Sequence, residues 1–488
     1  MSASFALFGV LVAPVLQALF VLALQKPPGL RDVVHIGFAL ATAICAARLV
    51  GAAADGETVR IALAQPLPNV ALAFVVEPLG ALVAATIGGL GFLHAAHSAG
   101  VVRATQEKAP ARLMAFMALA SGATMAVAFS ANLFTFFVAY QALTLCVFPL
   151  VAHRGDEEAR RAGRTFLATL LTASMGLFLP AMIWTYAIAG ALDFQPGGVL
   201  AGRVDALTAN ILLVLFVLGL AMAAMPPLHR WLPASSRAPD PALVTIQGVA
   251  ILPAGGVGLI KIAAFVFGPA LATARFAAYG LILLAGVGMC VAALIALSRQ
   301  DVRERLAYSC IAQSLAVAVG ALVALPMGLF AAALQIVAFA CSAATLTMAV
   351  GTTGAITARR TVADYAGLGR VMPWTFAGFA LASASMIGMP PFSGAWAKLW
   401  LITAAAGAGL VWAAALVGAA AVLTFAHLAP LAANTLAGKA PTDAFKRPDG
   451  ASILLAAPVI LSAAATLWLL VLADPLSSFL APIWSDGQ

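Results

Sequence analysis

The sequence predicts an all-α polytopic membrane protein of about 14 transmembrane helices, built on two inverted five-helix repeats whose broken helices are the seventh and the twelfth. Three observations predict it. Of 488 residues, 63% are apolar and only 9% charged, and the mean hydropathy is +1.04, whereas a soluble domain carries about a quarter charged residues. Apolar runs near the roughly 20 residues of a spanning helix recur from end to end, and the alternating segments of a membrane barrel are absent. Finally, Met-Pro-Pro occurs twice in apolar surroundings, in "AMPPLHRWLP" from Ala224 and "GMPPFSGAWAKLW" from Gly388.

Windowed apolarity with Gly and Pro punctuation places helices at about 3–24, 33–53, 74–95, 112–129, 132–152, 165–190, 208–226, 242–268, 276–298, 306–325, 328–355, 373–405, 409–437 and 452–473. The first has no basic residue before it, which disfavours a signal peptide. The third starts at Glu77, the acidic residue nearest to any helix interior, which reads as interfacial; His94 and His97 close it and face headgroups. The fifth carries Gln141 near its middle, where an amide serves as hydrogen-bonding glue between helices. The seventh breaks at Pro226 and Pro227, because proline removes a donor and blocks the preceding turn. His229 and Trp231 follow on a loop that they either close structurally or, for His229, furnish with a proton entrance. Lys261 in the eighth snorkels to the outer interface. In the tenth, Tyr308, Gln313 and Ser314 suit the holding of waters. The twelfth breaks at Pro390 and Pro391, with Lys398 just beyond: either a snorkelling residue or one lining a water-filled site. His427 in the thirteenth either exchanges protons near neutral pH or is a hydrogen-bonded core residue.

The loops test this count. With the N-terminus outside, 20 of the 26 basic residues fall on inner loops, among them Arg103, Arg154, Arg303, Arg360, Lys439, Lys446 and Arg447. Outer loops hold Arg60, Arg203 and Arg275, and Arg48, Lys261 and Lys398 lie in helices. That asymmetry puts both termini outside a bacterial inner membrane. The net charge of +8 is then topological and does not imply nucleic acid. The two proline breaks are five helices apart, so their segments cross in opposite directions, the mark of an inverted-repeat transporter; the alternative is a chance recurrence or two ordinary helix ends. Five cysteines in or beside apolar runs read as free packing thiols. No metal, nucleotide or other cofactor motif occurs.

"ANLFTFFVAYQALTL", "MPPLHRWLPASSRAPDPALVTIQGVAILPAGGVGLIKI", "QDVRERLAYSCIAQSLAVAVG", "RTVADYAGLGRVMP" and "ASASMIGMPPFSGAWAKLW" follow one another in the order and spacing of a known family. Together they resemble the antiporter-like membrane subunits shared by Mrp-type Na⁺/H⁺ antiporters, the Mrp D subunit above all, and respiratory complex I. The resemblance divides the chain into helices 1–3 (1–110), an antiporter-like core (111–405) and two C-terminal helices (406–488). It implies movement of H⁺, in exchange for Na⁺ or under a separate driving module, along ionisable groups at the bilayer midplane. It also implies other membrane subunits as partners and no covalent chemistry by this chain.

Against that pattern the chain is divergent. The family's fifth-helix Glu aligns with Gln141, its seventh-helix Lys with Met222, its eighth-helix Lys with Pro253 and its tenth-helix His with Gln313; its eleventh-helix Lys falls near Ser342 or Ala343. Only the twelfth-helix Lys is matched, by Lys398, which makes it the lone ionisable group of the line. Loss of both members of the Glu–Lys pair avoids the roughly 3–5 kcal/mol of a stranded buried charge. Two readings stay open: a transporting subunit with a reduced path through Lys398, His427 and waters held by Gln141 and Gln313, or a scaffolding subunit whose paralogue transports. Quinone binding is a third, without a feature that requires it.

Overall fold

The computed structural model describes residues 1–437 and 452–483. In chain order its main helices are α1 (Ala3–Ala23), α2 (Pro28–Ala54), α3 (Pro78–Thr105), α4 (Pro110–Ala128), α5 (Leu133–Val151), α6 (Glu157–Ala189), α7 (Ala206–Gly219), α8 (Asp240–Phe267), α9 (Arg275–Ser298), α10 (Val302–Leu322), α11 (Pro326–Thr357), α12 (Pro373–Ile387), α13 (Ser393–Gly407), α14 (Val411–Ala437) and α15 (Ser452–Val471). Eleven of these are long and apolar enough to span a membrane unaided. The crossing begun by α7, the α12–α13 pair and α15 bring the passes to fourteen, with the breaks in the seventh and twelfth.

The connecting loops sort onto two faces. On one, His153 Nε2 meets the Lys108 carbonyl, Arg237 pairs with Glu158 and Glu304, and the Val302 amide bonds the Arg360 carbonyl. This face gathers the loops rich in arginine. On the other, Arg60 pairs with Asp193 at 2.9 Å, and Val199 and Leu200 bond the end of α8. Lys439, Lys446 and Arg447 lie outside the described residues. α8, α10 and α11 form the centre: almost every residue of their apolar windows is buried, whereas α1, α2, α9 and α14 keep broad exposed apolar flanks. Exposed Leu, Val and Phe on those flanks are what a lipid-facing surface requires.

Four expected boundaries are corrected here. Helix three starts at Pro78 rather than about 74, because the chain before it forms a small antiparallel hairpin, β1 (Arg60–Leu67) and β2 (Val70–Val75), turning at Asn69, which has φ +55°. The hairpin is tied to the start of α5 by Asn132, whose amide donates to the Ala71 carbonyl at 2.7 Å. The apolar tail of β2 mimics a helix start, so hydropathy alone suggests too early a beginning for helix three. At its other end α3 continues to Thr105, ten residues past the expected boundary at 95, because "SAGVV" is small and apolar enough to keep the helix going. α6 begins at Glu157 instead of about 165, capped by Asp156, whose carboxylate accepts from the Ala159 amide at 2.7 Å; its first two turns are a charged helix outside the apolar run. Lastly, the seventh crossing does not end at its prolines. Residues 231–237 continue it as short helical turns, with Trp231 wholly buried rather than on a loop.

Candidate functional site: two helix breaks and a buried lysine

An interrupted helix frees backbone groups that must find partners inside protein. At the first break α7 stops at Gly219, a single tight turn covers Ala221–Ala223, Ala224 takes φ +55°, and a cis peptide joins Pro226 to Pro227. Three side chains satisfy the opened backbone. The Met222 amide donates to the Tyr140 hydroxyl at 3.0 Å, Trp231 Nε1 donates to the Ala221 carbonyl at 2.9 Å, and Ser314 Oγ donates to the Ala223 carbonyl at 2.8 Å. The Met222 side chain is wholly buried and neutral. Gln141 accepts from Ser174 Oγ at 3.3 Å, at a wide helical turn of α6, and its Nε2 has no partner among the described residues. The first half thus holds a closed, uncharged break.

The second break carries a charge. α12 stops at Ile387, Gly388 turns the chain at φ +95°, a cis peptide joins Pro390 to Pro391, and α13 starts at Ser393. Lys398, in the second turn of α13, folds back onto the broken end. Its Nζ donates to the Met386 carbonyl at 2.7 Å and to Gln313 Oε1 at 3.1 Å, and only 6% of the residue is exposed. Gln335 Nε2 donates to the same Gln313 oxygen at 3.0 Å. Ser385 Oγ accepts from Ser342 at 2.9 Å and lies 3.4 Å from Ser393. Gly388 is required twice over: L-residues resist its φ, and a Cβ there would stand 2.8 Å from Lys398 Cδ. No charged group acts on Lys398 among the described residues.

The remaining predicted residues separate. His427 is buried in α14, bonded through Nδ1 to the Leu423 carbonyl at 2.9 Å, with Arg305 holding its own carbonyl at 3.2 Å; among the described residues no hydrogen bond joins it to Lys398. His229 is half-buried beyond the first break and lines an apolar cavity of about 190 Å³ with Pro226, Leu284 and Tyr308. Lys261 does not snorkel. It is wholly buried, ion-paired with Glu77, bonded to the Ser130 carbonyl at 2.8 Å and 4.9 Å from the Phe194 ring centroid. A carboxylate, a carbonyl and an aromatic face together replace the water an exposed ammonium would have had. Glu77 is its counter-ion, not a headgroup contact.

His94 and His97 also depart from expectation. The extra turns of α3 carry them inside the bundle, where Nε2 of His94 lies 3.1 Å from Thr245 Oγ1 and Nε2 of His97 lies 3.0 Å from Thr352 Oγ1. Asp32 and Asp240, placed outside helices from sequence, are buried near helix starts and paired with Arg31 and Arg103, and with Arg303. Lys398 is therefore not the lone buried ionisable group. The available signal was the His-x-x-His spacing in "LHAAHSAG", which sets both rings on one helix face.

Residues 130–424 match the profile of a family described as NADH:quinone oxidoreductase/Mrp antiporter, transmembrane. The N subunit of the NADH-quinone oxidoreductase of Desulforudis audaxviator is 26% identical over 384 residues, 76% of this chain and 75% of the relative. The D subunit of the Na⁺/H⁺ antiporter of Alkalihalophilus pseudofirmus is 26% identical over 276 residues, 56% of this chain and 55% of the relative. The fold is shared with a chain of the Mrp complex from Dietzia sp. (TM-score 0.85, 22% identity, 99% of this chain and 97% of that one). It is shared too with a chain of respiratory complex I from Thermus thermophilus (TM-score 0.81, 22% identity, 97% and 99%). The profile match spans more than half of the chain and both of its breaks, so the protein belongs to the NADH:quinone oxidoreductase/Mrp antiporter family of membrane subunits, whose members take part in proton and cation translocation.

Proposed function

We propose that this chain is a multi-pass subunit of a bacterial inner-membrane assembly of Mrp or complex I type, with its arginine-rich face toward the cytoplasm and both termini outside. It carries H⁺ through its second repeat alone, with Lys398 as the group whose charge changes, and it makes and breaks no covalent bond of a substrate. Na⁺ exchange, where the assembly performs it, is left to other subunits.

One observation carries this reading: a buried amine at a helix break, held by two neutral acceptors and no carboxylate. Burying a lone cation in hydrocarbon costs roughly 3 kcal/mol or more, so its retention in an otherwise neutralised midplane needs a use. Two acceptors also suit both protonation states. A neutral amine has two N–H groups to match them, and the ammonium adds a third donor for an incoming or departing water. A scaffolding role is the second reading, favoured by the uncharged first break at Met222 and Gln141.

The test replaces Lys398 by Met in the assembled complex, in everted membrane vesicles with a pH-sensitive dye. The transporting reading expects a loss of H⁺ flux of about 100-fold or more, with co-purifying subunits unchanged. Unchanged flux with intact assembly establishes the scaffold instead.

A further inference from the structure

Gln335 lies on the third turn of α11 and Gln313 midway along α10, and both are buried in the centre of the bundle. Ser342, seven residues further along α11 and so on the same helix face, stands 2.9 Å from Ser385 Oγ at the second break. That face of α11 therefore looks onto the break that Lys398 closes.

While Lys398 is charged, the amides have no freedom in how they point. An ammonium only donates, so Gln313 must offer its oxygen, and it does so at 3.1 Å. Gln335 meets that same oxygen and must offer its nitrogen, at 3.0 Å. Its own Oε1 is then buried without a donor among the described residues. Two glutamines acting only as glue between helices would trade one hydrogen bond each way. Here one oxygen accepts twice and the other finds no donor, an arrangement that favours the lysine over the pair's own satisfaction.

A neutral amine removes the first constraint, because it carries a lone pair. A Gln313 amide turned end for end would donate its N–H to that lone pair and cap the atom to which the proton must return. With Gln335 in place, that turn sets one NH₂ group against another. The reversal then needs two buried amides to rotate in concert, where an isolated Gln313 would need only one.

We propose that Gln335 is a positioning residue for H⁺ transfer: through Gln313 it keeps an acceptor facing the Lys398 amine in both protonation states, which leaves the lone pair of the neutral amine open to reprotonation. This rests on the transporting reading of Lys398. Gln335 forms no hydrogen bond to Lys398 among the described residues and acts only through the Gln313 amide. Such fixed orientation of a polar group before the charge arrives is what lets it act without reorganisation.

The experiment measures H⁺ flux in vesicles holding the assembled complex, normalised to co-purified subunits. The variants are Gln335→Leu, the unbranched Gln335→Met, Gln313→Leu and the double variant Gln313→Leu/Gln335→Leu. Each single change at Gln335 is expected to lower flux about threefold to tenfold. Once Gln313 is replaced there is no amide left to orient, so the double variant is expected to match Gln313→Leu within about twofold. A residue that merely packs α11 against α10 would add its own loss, so losses that multiply overturn the proposal. Flux within about twofold of the unaltered complex in both Gln335 variants, beside a Lys398→Met that abolishes it, refutes the positioning role and leaves the Lys398 reading standing. Full flux in Lys398→Met removes both. If neither Gln335 variant assembles, Gln335 is a structural residue and the proposal falls.

Discussion

At the scale of single residues, the two buried lysines among the described residues are treated in opposite ways. Lys261 is neutralised by Glu77 and sits at the end of α8, where a carbonyl and a ring complete its shell. Lys398 has acceptors but no counter-charge. The first arrangement is structural, and it predicts a specific energetic pattern. Glu77→Leu alone strands an ammonium and Lys261→Met alone strands a carboxylate, each costing about 3–5 kcal/mol of stability. Together they strand nothing, so the double variant is expected to be more stable than either single one. Thermal unfolding of the purified complex measures this as a double-mutant cycle; strictly additive losses would show that the pair is not coupled.

At the scale of elements, the breaks depend on their glycines and on the side chains that collect loose backbone groups. Gly388→Ala must strain a φ of +95° and push Lys398 from the Met386 carbonyl. The expected loss is about 1–3 kcal/mol in stability together with lowered H⁺ flux. Gly37→Ala in α2, where an added methyl meets nothing within 4 Å, is the control and leaves both unchanged or slightly improved. Elements also mark how far the sequence is legible. The number of passes, the two breaks and the position of Lys398 can be read because hydropathy, proline and arginine placement each leave a local trace. The end of α3 cannot. Small residues such as those of "SAGVV" carry little hydropathy signal, so the boundary reads as 95 and two buried histidines read as headgroup residues. The hairpin is hidden for the converse reason, since β2 is apolar enough to pass as the start of a helix. The pairings of Glu77 with Lys261 and Asp240 with Arg303 join positions 184 and 63 apart in sequence. Their partners are set by tertiary contact, which a single sequence does not encode locally.

At the scale of the whole molecule, the two repeats have become unlike. Both retain a proline break, a following tryptophan and neighbouring groups that close the opened backbone. Only the second retains a charge there. The first has the neutral Met222 and Gln141 near its break, an arrangement that leaves no stranded charge there. Proton movement through such a chain should depend unequally on equivalent positions. Gln141→Leu removes one long hydrogen bond to Ser174 and is expected to leave H⁺ flux within about twofold of the unaltered complex. Gln313→Leu removes an oxygen shared by Lys398 and Gln335, strips the amine of one of its two acceptors, and is expected to lower flux by about tenfold or more. Both are measured in the same vesicles, normalised to co-purified subunits. Equal effects of the two substitutions would mean that the repeats still work as a pair, and the division of labour argued from their charges would be wrong.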